Sequence, residues 1–303
     1  MKMRNLLASA AAFVILGGLG WAQPPTSFKT PEEAVKALAQ AVGSDSEESL
    51  RTLFGSGLEP LMDPTPEGRK ESRRMLAMLL KERWKLAPLP EGRKLLRLGQ
   101  EGWPFPVTLV KADEGWHFDT ESGKEEILNR RIGRNELATL ETCSCIMLAQ
   151  EEYRRQDRDG DEVREYAGKI SSNPGKHDGL YWETKPSELP SPLQVAMKES
   201  WKYTEGRVQG TPWFGYRYRL LQGQGAAAPG GARSYLINGN QVAGWALVAY
   251  PETYGSSGIM TFLCSQDGVI YQKDLGQDSA QQAEALSVFD PGQGWTPVTP
   301  PSK

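Results

Sequence analysis

Residues Gly123 to Trp182 read GKEEILNRRIGRNELATLETCSCIMLAQEEYRRQDRDGDEVREYAGKISSNPGKHDGLYW. Leu137, Leu140, Met147 and Leu148, with Ser144 among them, recur at helical spacing and make a broad apolar face. A helix with such a face lies against a sheet. The pattern stops at Asp157-Arg158-Asp159-Gly160-Asp161, and a Gly- and aromatic-rich segment ending in Leu180-Tyr181-Trp182 follows. The residues before the stretch read as a small α+β unit, those after it as an antiparallel β-meander. The expected fold class is therefore α+β: a helical and hairpin unit, then a long helix packed on a meander.

Upstream, Thr30-Pro31-Glu32-Glu33 is a helix start with a capping residue, a proline in the first turn and an acid three positions on. Ala34, Val35, Leu38, Ala41 and Val42 form the apolar stripe of that helix, which Gly43 stops. A second helix fits Glu47 to Phe54. A third starts after Thr65-Pro66 and runs to Trp84, and its basic face of Arg69, Lys70, Arg73 and Arg74 reads as solvated surface. Lys94 to Leu98 and Val107 to Val110 alternate as strands, and the turn Asp113-Glu114-Gly115 leads into Trp116 to Asp119.

Downstream the period becomes two. Phe214, Tyr216, Tyr218 and Leu220 share one strand face. Gly223 to Gly231 is a shaped loop; it lacks the glycine spacing and the Gly-Lys-Ser/Thr end of a phosphate cradle. Tyr235 to Ile237 and Val242 to Tyr250 are joined at Asn238-Gly239, and Ile259 to Cys264 and Val269 to Lys273 through Asp267-Gly268, both hairpin signals. Five strands in a row are expected. The domain layout is then 23–121 for the first unit, 122–295 for the helix-and-meander domain, and a Pro-rich tail at 296–303.

The first 22 residues read as a signal peptide. Lys2 and Arg4 precede an apolar run from Leu6 to Leu19, too short for a stable span, and cleavage is expected after Ala22. No cysteine sits near that point, so a lipoprotein signal is excluded, and the expected location is periplasmic or secreted. No further run of membrane length follows. The net charge of −3 across 303 residues gives no basic excess of the kind nucleic acid selects. An oxidising compartment permits a disulfide. Cys143 and Cys145 point to different faces of their helix, so the choices are a bridge from Cys264 to either one, or three buried thiols.

Four features carry chemistry. Asp157, Asp159 and Asp161 stand at alternate positions, as at the start of a calcium loop, with Glu165 at the ninth position as a further ligand. The loop departs from that pattern at Glu162, where glycine belongs, and at Gly168, where a glutamate belongs. Arg130, Arg131 and Arg134 with Asn135 and Glu136 form a polar cluster, readable as an anion clamp or as a salt-bridge network at the domain junction. His177-Asp178 invites a catalytic reading, but no activated-nucleophile motif accompanies it. Finally, Asp119, Glu125, Glu126 and Asp178 are the carboxylates that an acid–base hydrolase would draw on.

Several strings resemble an uncharacterised bacterial exported family, the "domain of unknown function 2950" proteins. They include Arg130 to Leu137, Ala149-Gln150 with Tyr153, Glu165-Tyr166-Ala167, Asp178 to Trp182, Ala228 to Ala232 and Lys273 to Gly276. In similar sequences the acidic turn continues with Gly in place of Glu162. The resemblance implies no activity. The order of helix, acidic turn and meander is also similar to the heads of type IV pilins and pseudopilins, though a filament subunit needs an apolar stalk helix at its N-terminus and the corresponding helix here is polar at its start and lies mid-chain. With two His and no metal cluster in the sequence, the favoured function is non-catalytic binding or scaffolding of an unknown envelope component or glycan. The alternative is a carboxylate-based hydrolase of cell-wall glycan or peptide. Nine Trp and ten Tyr also permit a carbohydrate-binding surface.

Overall fold

The structure is a computed structural model that describes residues 23–44, 46–55, 58, 62, 66–158, 160–185, 187–197 and 211–298. The signal peptide, Asp159 and the last five residues of the expected tail lie outside the described residues. The chain is α+β and divides into two compact units, Met1–Ile127 and Leu128–Lys303.

The first unit opens with helix α1 (Pro31–Gly43). The Thr30 hydroxyl accepts from the Glu33 N–H at 3.2 Å, and the Glu33 carboxylate accepts from the Lys29 N–H at 3.0 Å. Ala34, Val35, Leu38, Ala41 and Val42 are all buried, the stripe that the sequence outlines. Helix α2 (Glu47–Phe54) is capped by Ser46 and ends at Gly55, whose φ of 70° suits glycine. A Cβ there would also meet the Gln23 carbonyl oxygen at 2.4 Å.

Helix α3 (Pro66–Glu82) stops before Trp84. Trp84–Pro88 is instead strand β1, whose residues pair antiparallel with β2 (Lys94–Leu98) from Trp84↔Leu98 to Pro88↔Lys94. The basic face of α3 is not wholly solvated, because Arg69 pairs with Glu47 of α2 at 3.1 Å. Strands β3 (Trp103–Pro104), β4 (Leu109–Ala112) and β5 (Gly115–Phe118) complete a sheet of order β1-β2-β4-β5, with β3 on β2. Its inward face supplies Leu96, Leu98, Leu109 and Phe118, which pack with Phe54 and Phe105.

Helix α4 (Thr120–Tyr153) starts in this unit and continues through the next. Its first two turns belong to the first unit: Thr120 donates to the Phe54 carbonyl at 2.8 Å, and Gly123 lies against Val107. The division between the two compact units falls after Ile127, within the helix.

The second unit holds α4 from Leu128, helix α5 (Pro192–Met197), strands β6 (Tyr216–Leu221), β7 (Gly223–Gln224), β8 (Arg233–Ser234), β9 (Ala246–Pro251), β10 (Met260–Ser265) and β11 (Ile270–Asp274), helix α6 (Ser279–Ala285) and strand β12 (Thr296–Val298). The main sheet is antiparallel, ordered β12-β11-β10-β9-β6. Tyr235–Ile237 is not in it. The Asn238-Gly239 turn forms, both residues at positive φ, but its arms are joined only loosely, by the bridge Ile237↔Asn240 and by the Ala243 N–H donating to the Tyr235 carbonyl at 3.1 Å. The fifth strand is β12, within the segment expected as tail.

Alternate residues of β9 enter two different cores. Leu247 and Ala249 join α4's Leu140, Cys143, Ile146, Ala149 and Tyr153. Ala246, Val248 and Tyr250 join Ala283 of α6, Phe289 and Tyr235. The buried face of α4 is thus not the one that Leu137 and Leu148 suggest; these two are 50% and 63% exposed.

Candidate functional site

The polar cluster on α4 resolves into a hook. Asn135 donates to the Ser257 carbonyl at 2.8 Å, and one Glu136 oxygen accepts from the N–H groups of Ile259 and Met260, both at 3.0 Å. Gly258 has to be glycine here, because a Cβ would fall 2.1 Å from the Tyr216 hydroxyl oxygen. That hydroxyl donates to the Met260 carbonyl at 2.9 Å. Burial, reinforced by the Glu136 carboxylate, pushes the Tyr216 phenol far above its ordinary value. Asn135 and Glu136 therefore hold a loop within their own unit, while Arg131 and Arg134 are exposed.

The acidic turn is closed by its own backbone. The two Asp157 oxygens accept from the N–H groups of Gly160 and Glu162 at 2.8 and 2.9 Å. Asp161 accepts from the Val163 N–H at 2.8 Å and from the Asn240 side chain, and Glu165 accepts from the Gln241 N–H. Glu162 takes φ 67°, so the chain bends at the sixth position without the expected glycine. Among the described residues no group of three or more His, Cys, Asp or Glu is placed to hold a metal ion. A cation at Asp157, Asp161 and Glu165 competes with these peptide donors.

Past the turn, Gln150 exchanges both amide hydrogen bonds with Ala167, at 3.0 and 2.9 Å, as a strand residue would. The next loop is closed by Asp178. One carboxylate oxygen accepts from the Asn173 N–H at 2.8 Å, the other from Lys169 at 2.7 Å and from the Asn173 side chain at 2.8 Å. Desolvation pushes its pKa up, but the bonds from Lys169 and Asn173 outweigh that and hold it below the ordinary carboxylate range. Asp178 thus works as a loop latch. In the first unit Asp119 caps α4 through the Ser122 N–H and hydroxyl, at 3.2 and 2.6 Å. Glu125 is exposed and Glu126 half-buried.

At the end of α4 lies a group that the sequence reading did not assemble. His177 stacks on Trp182 with ring centroids 4.2 Å apart and planes 22° from parallel. The Arg158 guanidinium sits 5.5 Å from the Trp182 ring and 5.4 Å from the Tyr153 ring. It also donates to the carbonyls of Tyr153 and Glu152 at 3.1 and 3.3 Å, which caps the helix. Burial pulls the Arg158 pKa down, against the opposing effect of Tyr153 and Glu152. The Tyr153 hydroxyl donates to the His177 carbonyl at 2.9 Å and fixes the loop that presents the ring. His177 itself is exposed. Such a platform offers an aromatic face with hydrogen-bond donors at its edge. In the first unit, a cleft of about 410 Å³ beside α1 and α2 is lined by hydroxyl, amide and apolar side chains, with no acid, base or thiol.

Fold and sites together define a two-unit α+β protein whose best-placed polar groups hold loops. The chain belongs to the family described as "Protein of unknown function (DUF2950)", whose sequence profile matches residues 25–298. No curated protein and no solved structure matches the chain. Among the described residues no helix is long and apolar enough to cross a membrane.

Proposed function

We propose that this is an exported, non-catalytic binding or scaffolding protein of the cell envelope, and that its ligand is a glycan. The observation that carries the reading is the exposed His177 ring stacked on Trp182 beside the Arg158 guanidinium. Sugar rings pack their C–H faces on aromatic platforms and hydrogen-bond at the edges. The carboxylates offered for hydrolysis support the non-catalytic half, since Asp119 and Asp178 are engaged in capping and latching. Export is supported by the charged and apolar pattern of residues 1–22.

The test is co-sedimentation of the full chain with purified cell-wall glycan, with chromatography of the supernatant. Binding without released fragments is expected, and His177→Ala weakens it about tenfold, the scale of one lost stacking contact. Released saccharide or peptide fragments favour the carboxylate hydrolase. Calcium at Asp157, Asp159, Asp161 and Glu165 is a secondary proposal, supported by the alternate spacing and the left-handed bend at Glu162. Its affinity falls in the ~10⁻⁴–10⁻³ M range of extracellular modules. A Tm that rises in millimolar calcium for the wild type but not for Asp157→Ala supports it; an unchanged Tm removes it.

A further inference from the structure

We propose that Cys143 and Cys264 form an intramolecular disulfide and that Cys145 stays a thiol. The framework that brings them together is the hook on α4. Glu136 is pinned to the N–H of Met260, the first residue of β10. Seven residues further along the helix, two turns down the same face, stands Cys143, an advance of about 10 Å. Four residues further along β10, on the same strand face, stands Cys264, an advance of about 13 Å. From one pin, helix and strand therefore carry the two cysteines to the same level. The Thr139 hydroxyl, between pin and cysteine on α4, meets the Tyr218 hydroxyl of β6 at 3.2 Å and holds the helix in this register.

Both side chains lie in the same core cluster, 1% and 0% exposed, and Cys143 is near enough to act on the Cys264 thiol. Cys145 faces elsewhere: its thiol donates to the Ala196 carbonyl at 3.3 Å, beside α5. The hydrogen bond with Cys143, together with burial, pushes the Cys264 thiol well above its ordinary value. A buried, protonated thiol is a poor nucleophile, so the bond forms while the chain folds, before the core closes. The chemistry is thiol–disulfide exchange. Each cysteine gives up one proton and one electron and the S–S bond forms. The partner's disulfide breaks and takes up both electrons and both protons as two thiols. In the test tube that partner is oxidised glutathione; in a cell it is a protein disulfide of an oxidising compartment. Occurrence in the cell rests on the export proposed above, whereas the pairing itself does not.

The full chain is unfolded with reductant, refolded in reduced and oxidised glutathione, alkylated, and digested between the cysteines. The expected product joins the two peptides that carry Cys143 and Cys264, with the alkyl group on Cys145. Cys145→Ser still forms the link and Cys143→Ser does not. The oxidised wild type melts roughly 5–15 °C above the reduced form, because the bridge closes a loop of more than a hundred residues. Three alkylated cysteines, a Cys145–Cys264 link or glutathione adducts on Cys143 and Cys264 overturn the pairing, and the wild-type digest decides this whether or not a variant folds. A link found after refolding but absent from protein isolated from its host retains the pairing and refutes the export reading.

Discussion

Glu136 shows how one side chain can fix a loop more than a hundred residues away. Its oxygen satisfies two N–H groups, so Glu136→Ala leaves both without an acceptor and loses about 2–3 kcal/mol in urea denaturation. Glu136→Gln keeps an acceptor oxygen and loses less. Glu162 is the reverse case. A side chain at φ 67° costs about 1–2 kcal/mol, so Glu162→Gly raises stability by roughly 0.5–1 kcal/mol, after allowance for the freer unfolded chain. A lower urea midpoint would show that Glu162 has a contact that repays its strain. Asp178 makes a pH prediction. Its folded carboxyl titrates below the ordinary range, so its bonds stabilise the fold above the unfolded value near ~4. That stability is lost as pH falls through the depressed folded value. Asp178→Asn should therefore melt below the wild type at pH 7, and the two melting temperatures should converge as pH drops below about 4.

At the scale of elements, legibility depended on where the partners lie. The α1 stripe and its cap were readable because every interaction in them is local. Strand β1 was not, since Trp84 follows α3 without a glycine or proline to mark the change. The face of α4 misled for a chemical reason. Thr139 and Thr142 are buried because their hydroxyls donate to the carbonyls of Asn135 and Ala138, both at 2.8 Å, and Gln150 is buried against Ala167. Polar residues satisfied in this way count as core, so the leucines beside them can face outward. The partners of Asn135 and Glu136 are backbone groups of a distant loop, which have no signature in residue type. The stack at the end of α4 was hidden similarly, since Arg158, His177 and Trp182 come together only when the intervening loop closes on Asp178.

At the scale of the whole molecule, the second unit differs from the first in having cores on both faces of its sheet. In the first unit the named inward residues join one core, and Arg97 and Lys111 are exposed. In the second, all six residues of β9 are buried, and the strand is hydrogen-bonded along both edges, to β6 and to β10. A strand covered above, below and on either side has no local route to solvent. Its peptide hydrogens can trade with deuterium only when the unit opens as a whole. Deuterium uptake at Leu247 to Tyr250 should then be the slowest in the chain, and its free energy should equal that of denaturant unfolding. Uptake there as fast as in α3, where Leu80 is the one fully buried side chain, would contradict this. β9 is in this sense a clock for the fold, and any ligand that truly binds the native protein should slow it.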